Sequence, residues 1–187
     1  MKMNSHITSF VSIEKNTLSL NGNSVFQTEN ISFDEFIKKA YRYLEISYPK
    51  FFKMDRLSKL AFVASELIFK GMSQEEKDGT ALVFANSSAS MDTDLRHQES
   101  ISAEDNFYPS PAVFVYTLPN ICLGEISIRH QLLTENSFFV FSEFPNEFFK
   151  NYANTLLQSG KAKKVLCGWV ELLGENYRAE LQLVENR

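Results

Sequence analysis

Apolar and polar positions alternate along the chain in a way that predicts strands and helices in turn. Short apolar runs or two-residue periodicity predict strands at residues 8–13, 16–20, 25–26, 80–85, 137–142, 165–170 and 180–184. Apolar residues at helical spacing predict helices at residues 33–44, 55–69, 118–132 and 145–158. This alternation favours an α/β fold, with a mixed or parallel sheet and helices on its faces.

Polar residues mark several helix ends. Ser32 and Glu35 have the spacing of a capping box before the first helix. Thr117 is the predicted N-cap of the third helix, with Pro119 in its first turn. The second helix is apolar on most of its surface, which predicts burial on nearly all sides.

The segment 86–108 is polar and predicts a long loop with at most one helical turn. Pro109 and Pro111 follow it and are expected to keep the chain extended. Loops of this length often carry a function or an interface.

Composition narrows the function classes. The 187 residues are 44% hydrophobic and 22% charged, so we expect one globular domain over 1–187. The net charge is −4 and no basic block occurs, which argues against nucleic-acid binding. No run reaches the roughly 18 apolar residues that span a bilayer. No apolar signal segment follows the N-terminus, so we expect a cytoplasmic protein.

Common catalytic and cofactor motifs are missing from the sequence. There is no G-x-G-x-x-G and no Walker A pattern, so no nucleotide cofactor is predicted. His6, His97 and His130 are scattered and predict no metal site, and His97 is expected in a solvated turn. Cys122 and Cys167 fit small buried hydrophobic residues better than nucleophiles.

Three motifs occur together in a specific order, at residues 53–60, 111–129 and 160–171. They read Lys-Met-Asp-Arg-Leu-Ser-Lys-Leu, then a segment with Thr-Leu-Pro-Asn and Gly-Glu-Ile-Ser-Ile-Arg, then Gly-Lys-Ala-Lys-Lys-Val-Leu-Cys-Gly-Trp-Val-Glu. Together they resemble the N-terminal half of β-ketoacyl-acyl-carrier-protein synthases, the condensing enzymes of fatty-acid and polyketide biosynthesis. The resemblance covers residues 50 to 173 and implies one thiolase-like half with a mixed sheet of about five strands.

The resemblance also implies that the family's nucleophile is missing. Counting from Thr117 forwards or from Gly160 backwards places the family's cysteine at Glu143, and no cysteine lies within twenty residues of it. A condensing enzyme needs a thiolate, so the chain is expected to have no catalytic residue of its own and to be a pseudoenzyme. Glu143 either mimics a substrate carboxylate or tunes a partner's pocket, or it simply stabilises a helix N-terminus.

The fourth helix has one apolar stripe and a polar opposite face that includes Asn151 and Asn154. In the condensing enzymes the helix after the nucleophile lies between the two halves. The polar face therefore suggests a chain adapted to function without a second half, a hypothesis that burial of both asparagines would contradict.

The resemblance further implies a pairing strand. In the family, the strand before the nucleophile pairs with its copy across a dimer axis, which here is the strand 137–142 with Phe138, Phe139, Val140 and Phe141. We expect a homodimer or a heterodimer with a ketosynthase, the alternative being a strand interior to the monomer sheet.

Four functions follow as hypotheses. The first is a non-catalytic partner or chain-length-type subunit. The second is a split acyltransferase completed by another chain. The third is a module that binds an acyl chain or an acyl carrier protein, which an apolar tunnel beside the Phe-rich strand would favour. The fourth is that the resemblance concerns the fold alone.

Overall fold

Seven strands lie side by side in one mixed sheet in the computed structural model, which describes residues 5–102 and 110–186. In chain order they are β1 (Ser5–Glu14), β2 (Thr17–Leu20), β3 (Asn23–Gln27), β4 (Thr80–Asn86), β5 (Asn136–Val140), β6 (Lys164–Leu173) and β7 (Asn176–Asn186). Their order across the sheet is β3-β2-β1-β7-β6-β4-β5. Strand β4 is parallel to β5 and β6, and the other pairs are antiparallel.

The expectation of an α/β sheet with helices on its faces is confirmed, and the strand number is seven rather than about five. The hairpin β2–β3 accounts for the difference. Its turn lies at Asn21 and Gly22, both with positive φ, and β2 pairs with β1 in the same sheet. The hairpin therefore lengthens the sheet instead of forming a separate layer.

Seven α-helices and one 3₁₀ turn connect the strands within the described residues. They are α1 (Phe33–Tyr43), the 3₁₀ turn (Pro49–Lys53), α2 (Arg56–Phe69), α3 (Gln74–Lys77), α4 (Met91–Ile101), α5 (Pro111–Val115), α6 (Ile121–His130) and α7 (Asn146–Gln158). The Ser32 side chain accepts a hydrogen bond from the Glu35 N–H and caps α1 as predicted. The reciprocal bonds of a full capping box occur at Ser73 and Glu76, before α3.

The polar segment after β4 contains an eleven-residue helix, α4, so the prediction of a loop was wrong there. The Asn86 side chain bonds both the N–H and the C=O of Ala89 and shapes the turn that precedes this helix. The inward face of α4 carries Asp92 and Thr93, which are buried against other polar groups. A helix whose buried face is polar has no apolar stripe, which is why the sequence pattern missed it.

The end of the predicted loop, residues 103–108, and Pro109 lie outside the described residues. Pro111 does not extend the chain as expected, because it begins α5 under a cap from Ser110. The third predicted helix begins at Ile121 rather than at residue 118. Thr117 does not cap it, because its hydroxyl donates back to the Phe114 carbonyl.

The sheet is covered unequally on its two faces. Helices α1, α2 and α6 cover one face and form the larger core, in which 12 of the 14 residues of α2 are buried, as its all-round apolar sequence predicted. Helix α7 covers part of the other face and forms the smaller core with β4 and β6. Strand β5 therefore has helices on both faces, because Phe138 packs against the larger core and Phe139 against the smaller core.

One buried arginine links four segments at the end of the sheet where β6 turns into β7. The Arg56 guanidinium lies 3.3 Å from the Asp92 carboxylate, 2.8 Å from the Gly174 carbonyl and 2.6 Å from Glu175, and its Nε is 3.5 Å from Asp34. Asp92 also accepts the Gly174 N–H at 3.0 Å. We call these five residues the Arg56 network. It joins α1, α2, α4 and the β6–β7 turn.

Replacement of Arg56 by methionine is expected to lower the free energy of unfolding by about 3 kcal/mol, because the buried Asp92 carboxylate then keeps only the half-exposed Arg96 guanidinium, at 3.7 Å, as a counter-charge. Urea denaturation followed by circular dichroism measures this. Lys163→Met, which removes the exposed Lys163–Asp78 ion pair, is the control and should leave the transition midpoint unchanged. Equal effects of the two substitutions would contradict a structural role for the Arg56 network.

Candidate functional site

Strand β5 lies at the edge of the sheet, with β4 on one side and no other strand among the described residues on its far side. The Leu82 N–H donates to the Glu135 carbonyl at 3.0 Å, and the Phe141 N–H donates to the Asn86 carbonyl at 2.9 Å. In a parallel pair, alternate residues direct both backbone groups to the same neighbour. The N–H and C=O groups of Asn136, Phe138 and Val140 therefore point to the open side.

Alternate side chains of β5 also point to opposite faces of the sheet. Phe138 packs against the larger core, and Val140 shares its face but is 55% exposed. Phe139 and Phe141 pack against the smaller core. All four residues of the predicted pairing strand thus lie at this edge, although the strand itself ends at Val140 rather than at residue 142.

An aromatic cluster covers the α7 side of the edge. The Phe139 ring lies 4.8 Å from Phe148 and 5.4 Å from Tyr152, and the Phe141 ring lies 4.9 Å from Phe148. The Tyr152 hydroxyl donates to the Glu135 carboxylate at 2.6 Å, which raises the pKa of Tyr152. These contacts hold α7 against β5.

Glu143 is exposed in the bend between β5 and α7. The neighbouring residue, Phe144, anchors this bend, since its ring lies 5.6 Å from Phe149 and 6.0 Å from the buried Trp169. The Glu143 carboxylate, which the sequence analysis expects at the family's nucleophile position, therefore faces solvent after the end of the edge strand.

The two cysteines lie far apart in the fold. Cys122 belongs to the larger core and Cys167 to the smaller core, and both are buried. Burial raises the pKa of Cys122 well above its ordinary value and raises the pKa of Cys167 to about 12. Both side chains are buried as the sequence predicted, and both remain thiols at neutral pH.

The three histidines occupy separate places. His6 lies on β1, and His97 lies on α4 with its ring 5.5 Å from Phe114, rather than in the solvated turn that was expected. His130 is buried at the end of α6, 3.3 Å from the Glu66 carboxylate. Within residues 5–102 and 110–186, no three metal-binding side chains come together.

Two polar contacts between α2, α6 and their flanking segments escaped the sequence analysis. Glu66 accepts a hydrogen bond from Arg129 and lies beside His130. Burial raises the pKa of Glu66, but these two partners outweigh burial and lower it. The Tyr116 hydroxyl donates to the buried Glu125 at 2.9 Å. Sequence separation hides the first contact, because Glu66 and Arg129 are 63 residues apart.

The outer face of α7 is polar and open. Asn151 is exposed, and Asn154 is half-buried and accepts a hydrogen bond from the Ser5 hydroxyl. The result that would have contradicted the surface-helix hypothesis, burial of both side chains, is not observed.

Four cavities among the described residues lie away from β5. The largest of these four, about 890 Å³, is an open groove beside the β1–β2 and β6–β7 turns, and a second of about 340 Å³ lies at the C-terminal ends of α2 and α6. Two smaller ones hold about 280 and 150 Å³. None of these four is lined by Phe138, Phe139 or Phe141, so the tunnel that would favour an acyl-binding module is not among them.

Solved structures share this arrangement of strands and helices. The ishigamide ketosynthase/chain length factor matches 97% of this chain with a TM-score of 0.70 at 19% identity. A ketosynthase in complex with its chain length factor from Xenorhabdus doucetiae matches the whole chain with a TM-score of 0.66 at 15% identity. A β-ketoacyl synthase from Burkholderia phymatum matches the whole chain with a TM-score of 0.62 at 14% identity.

The chain has the thiolase-like fold of the ketosynthases. This agreement confirms the resemblance inferred from the three motifs at the level of the fold. The ketosynthase-like chain spans 62% of the ishigamide protein, 80% of the Xenorhabdus protein and 60% of the Burkholderia protein. No protein-family model and no curated protein matches its sequence. Its described helices are all too short or too polar to cross a bilayer.

Neither cysteine of the ketosynthase-like chain is expected to react with iodoacetamide at pH 8 in the native state, because both thiols are buried and their pKa values are raised. Mass spectrometry of the labelled protein measures this. Unfolding in guanidinium chloride should expose both thiols to complete labelling, which serves as the control. Rapid native labelling of either thiol would revive the split acyltransferase hypothesis.

Proposed function

We propose that the ketosynthase-like chain is a non-catalytic subunit that pairs with a ketosynthase through the open edge of β5. The observation that carries this proposal is the edge position of β5, where no strand of residues 5–102 or 110–186 pairs with the outward backbone groups of Asn136, Phe138 and Val140. An edge strand that exposes apolar side chains and carries no charged residue is an aggregation hazard unless another chain covers it. Two of the similar structures are described as a ketosynthase with its chain length factor, and this supports a subunit of that type.

The non-catalytic part of the proposal follows from thiol chemistry. A condensing enzyme holds its acyl group as a thioester on an activated cysteine, and a carboxylate at that position cannot take its place. The motif spacing predicts Glu143 at that position, and the two thiols are buried elsewhere. We propose that Glu143 contributes only a favourable charge near the N-terminus of α7, since its side chain faces solvent.

The alternatives have less support. A split acyltransferase completed by another chain would need that chain to supply the nucleophile as well as the remaining catalytic groups. A module for an acyl chain would need an apolar tunnel, and the four cavities lie elsewhere. An acyl carrier protein fits the proposal as a further partner of the assembled pair, because a third similar structure is described as an acyl-carrier protein in complex with its ketosynthase.

We propose that residues 1–187 form one domain that acts in the cytoplasm, within fatty-acid or polyketide-like biosynthesis. All seven strands contribute to one sheet, which supports a single domain.

Val140→Pro is expected to abolish pairing with a ketosynthase without unfolding the chain. Proline removes an N–H that points to the open side, and edge strands tolerate proline at such positions. Val140→Thr is the matched control, since it keeps the backbone N–H and the branched shape. Affinity purification of each tagged variant from its native cells, with mass spectrometry of the recovered proteins, measures the difference.

Recovery of a full-length ketosynthase with the wild type and the threonine variant, but not with the proline variant, is the expected result. Recovery with all three chains would show that pairing does not use β5. Absence of any ketosynthase from the wild-type sample would contradict the proposed function itself.

A further inference from the structure

A cavity of about 280 Å³ lies between α7 and the strands β1 and β7. Helix α7 covers β4 and β6 through the smaller core, to which β7 contributes Val184 and β1 contributes none of its described residues. The cavity occupies the gap that this partial cover leaves on the sheet. We call it the α7–β1 cavity.

The α7–β1 cavity is remote from the β5 edge. Asn146, Lys150 and Ala153 line it from α7 at a spacing of four and then three residues, which places them on one side of the helix. Phe148 and Tyr152 lie on another side of α7 and contact β5. Strands β6 and β4 also separate β7 from β5 in the sheet. An occupant of the cavity therefore leaves the proposed pairing edge free.

Part of the cavity wall is apolar. Ala153 and Val184 are buried members of the smaller core, and Ile7 of β1 is 56% exposed. At one end the Ser5 hydroxyl donates to the Asn154 side chain and joins β1 to α7. The cavity volume equals the share of about nine water molecules, at about 30 Å³ each. It therefore suits a small molecule that has a hydrocarbon part.

The charge at the cavity is positive. Its lining includes Lys150 and no aspartate or glutamate of the described residues. Within residues 5–102 and 110–186, no carboxylate forms an ion pair with Lys150, not even that of Glu147, which lies three residues earlier on the same helix. An ammonium group without a counter-charge, beside an apolar wall, favours an anion as the occupant.

Two polar side chains on the strand side of the cavity are poorly satisfied within the described chain. The His6 Nδ1 atom is buried and has no hydrogen-bond partner there. The Gln182 side-chain amide donates to the Cys167 Sγ atom at 3.6 Å, and a thiol sulfur is a weak acceptor. Buried polar groups in proteins are normally satisfied by the chain or by a bound molecule. The described chain therefore does not complete this wall with its own groups.

We infer that the α7–β1 cavity binds a small organic carboxylate. Its carboxylate pairs with the Lys150 ammonium, and its hydrocarbon part packs on the apolar wall of Ile7, Ala153 and Val184. A phosphate group fits the cavity less well, since it carries more charge than one lysine balances and has no part that suits the apolar wall. This inference goes beyond the proposed function and does not depend on it.

Titration of the full chain with 3-methylbutanoate tests the inference. The Val184 methyl signals and the Gln182 side-chain amide signals in the NMR spectrum should shift saturably, with a dissociation constant of about 1 mM, a value that a ligand of this size can reach. The neutral, equally shaped 3-methylbutanamide should bind at least about tenfold more weakly, because it cannot form the charged hydrogen bond with Lys150.

Lys150→Met should weaken 3-methylbutanoate binding by at least about tenfold for the same reason. Lys161→Met is the matched control, since Lys161 is also exposed but lies in the turn after α7 and does not line the cavity. It should leave the dissociation constant unchanged. Both positions are exposed, so both variants should keep the melting temperature of the wild type.

Three results would overturn the inference. They are the absence of saturable shifts up to about 50 mM 3-methylbutanoate, equal binding of the amide and the carboxylate, and an equal loss of binding in the two lysine variants. Recovery of a ketosynthase with the tagged chain is measured separately and involves the β5 edge. The failure of this inference is therefore distinguishable from the failure of the proposed function.

Discussion

The buried charge of Arg56 constrains the arrangement of everything at the carboxyl end of β6. A guanidinium cannot be removed from water unless its donors find acceptors, and here these come from α1, α4 and the β6–β7 turn. Each acceptor is fixed in turn, since Asp92 also binds the Gly174 N–H and Glu175 also binds the Phe33 N–H. The positions of α1, α2 and α4 relative to the sheet are therefore mutually dependent. Helices α1 and α2, which form much of the larger core, are thus joined by polar contacts as well as by apolar packing.

The two edges of the sheet differ in polarity and in how far helices cover them. The edge at β3 belongs to a short hairpin whose strands are half exposed and carry polar residues such as Asn23, Ser24 and Gln27. The edge at β5 is flanked by a helix on each face and is rich in phenylalanine. A solvated hairpin needs no partner, whereas an apolar strand with free backbone groups does. This contrast favours β5 over β3 as the edge that takes part in the proposed pairing.

The pattern of apolar and polar residues along the sequence predicted most of the strands and helices. It did not predict the polar contacts between residues that are distant in sequence. Apolar runs located all seven strands, and the all-round apolar sequence of α2 predicted its burial. Helix α4 was missed because its buried side chains, Asp92 and Thr93, satisfy polar partners from other elements instead of joining the apolar core. The partners of Arg56 were also invisible, since Asp92 is 36 residues away and Glu175 is 119 residues away. The phenylalanines of β5 were identified through the family resemblance, and only the topology places them at an open edge.

Alternate residues of β5 direct their backbone groups to opposite sides and their side chains to opposite faces of the sheet. Phe139 turns its backbone to β4 and its ring to α7, so its contacts are completed within the chain. Phe138 and Val140 direct their backbone groups outward and their side chains to the α6 side. Substitutions of Phe138 and Phe139, whose rings pack against the two cores, therefore act first on the stability of the chain, whereas substitutions of Val140, which is 55% exposed, leave both cores intact. Under the proposed pairing, the exposed end of β5 can change its contacts over evolutionary time without rebuilding the core beneath it.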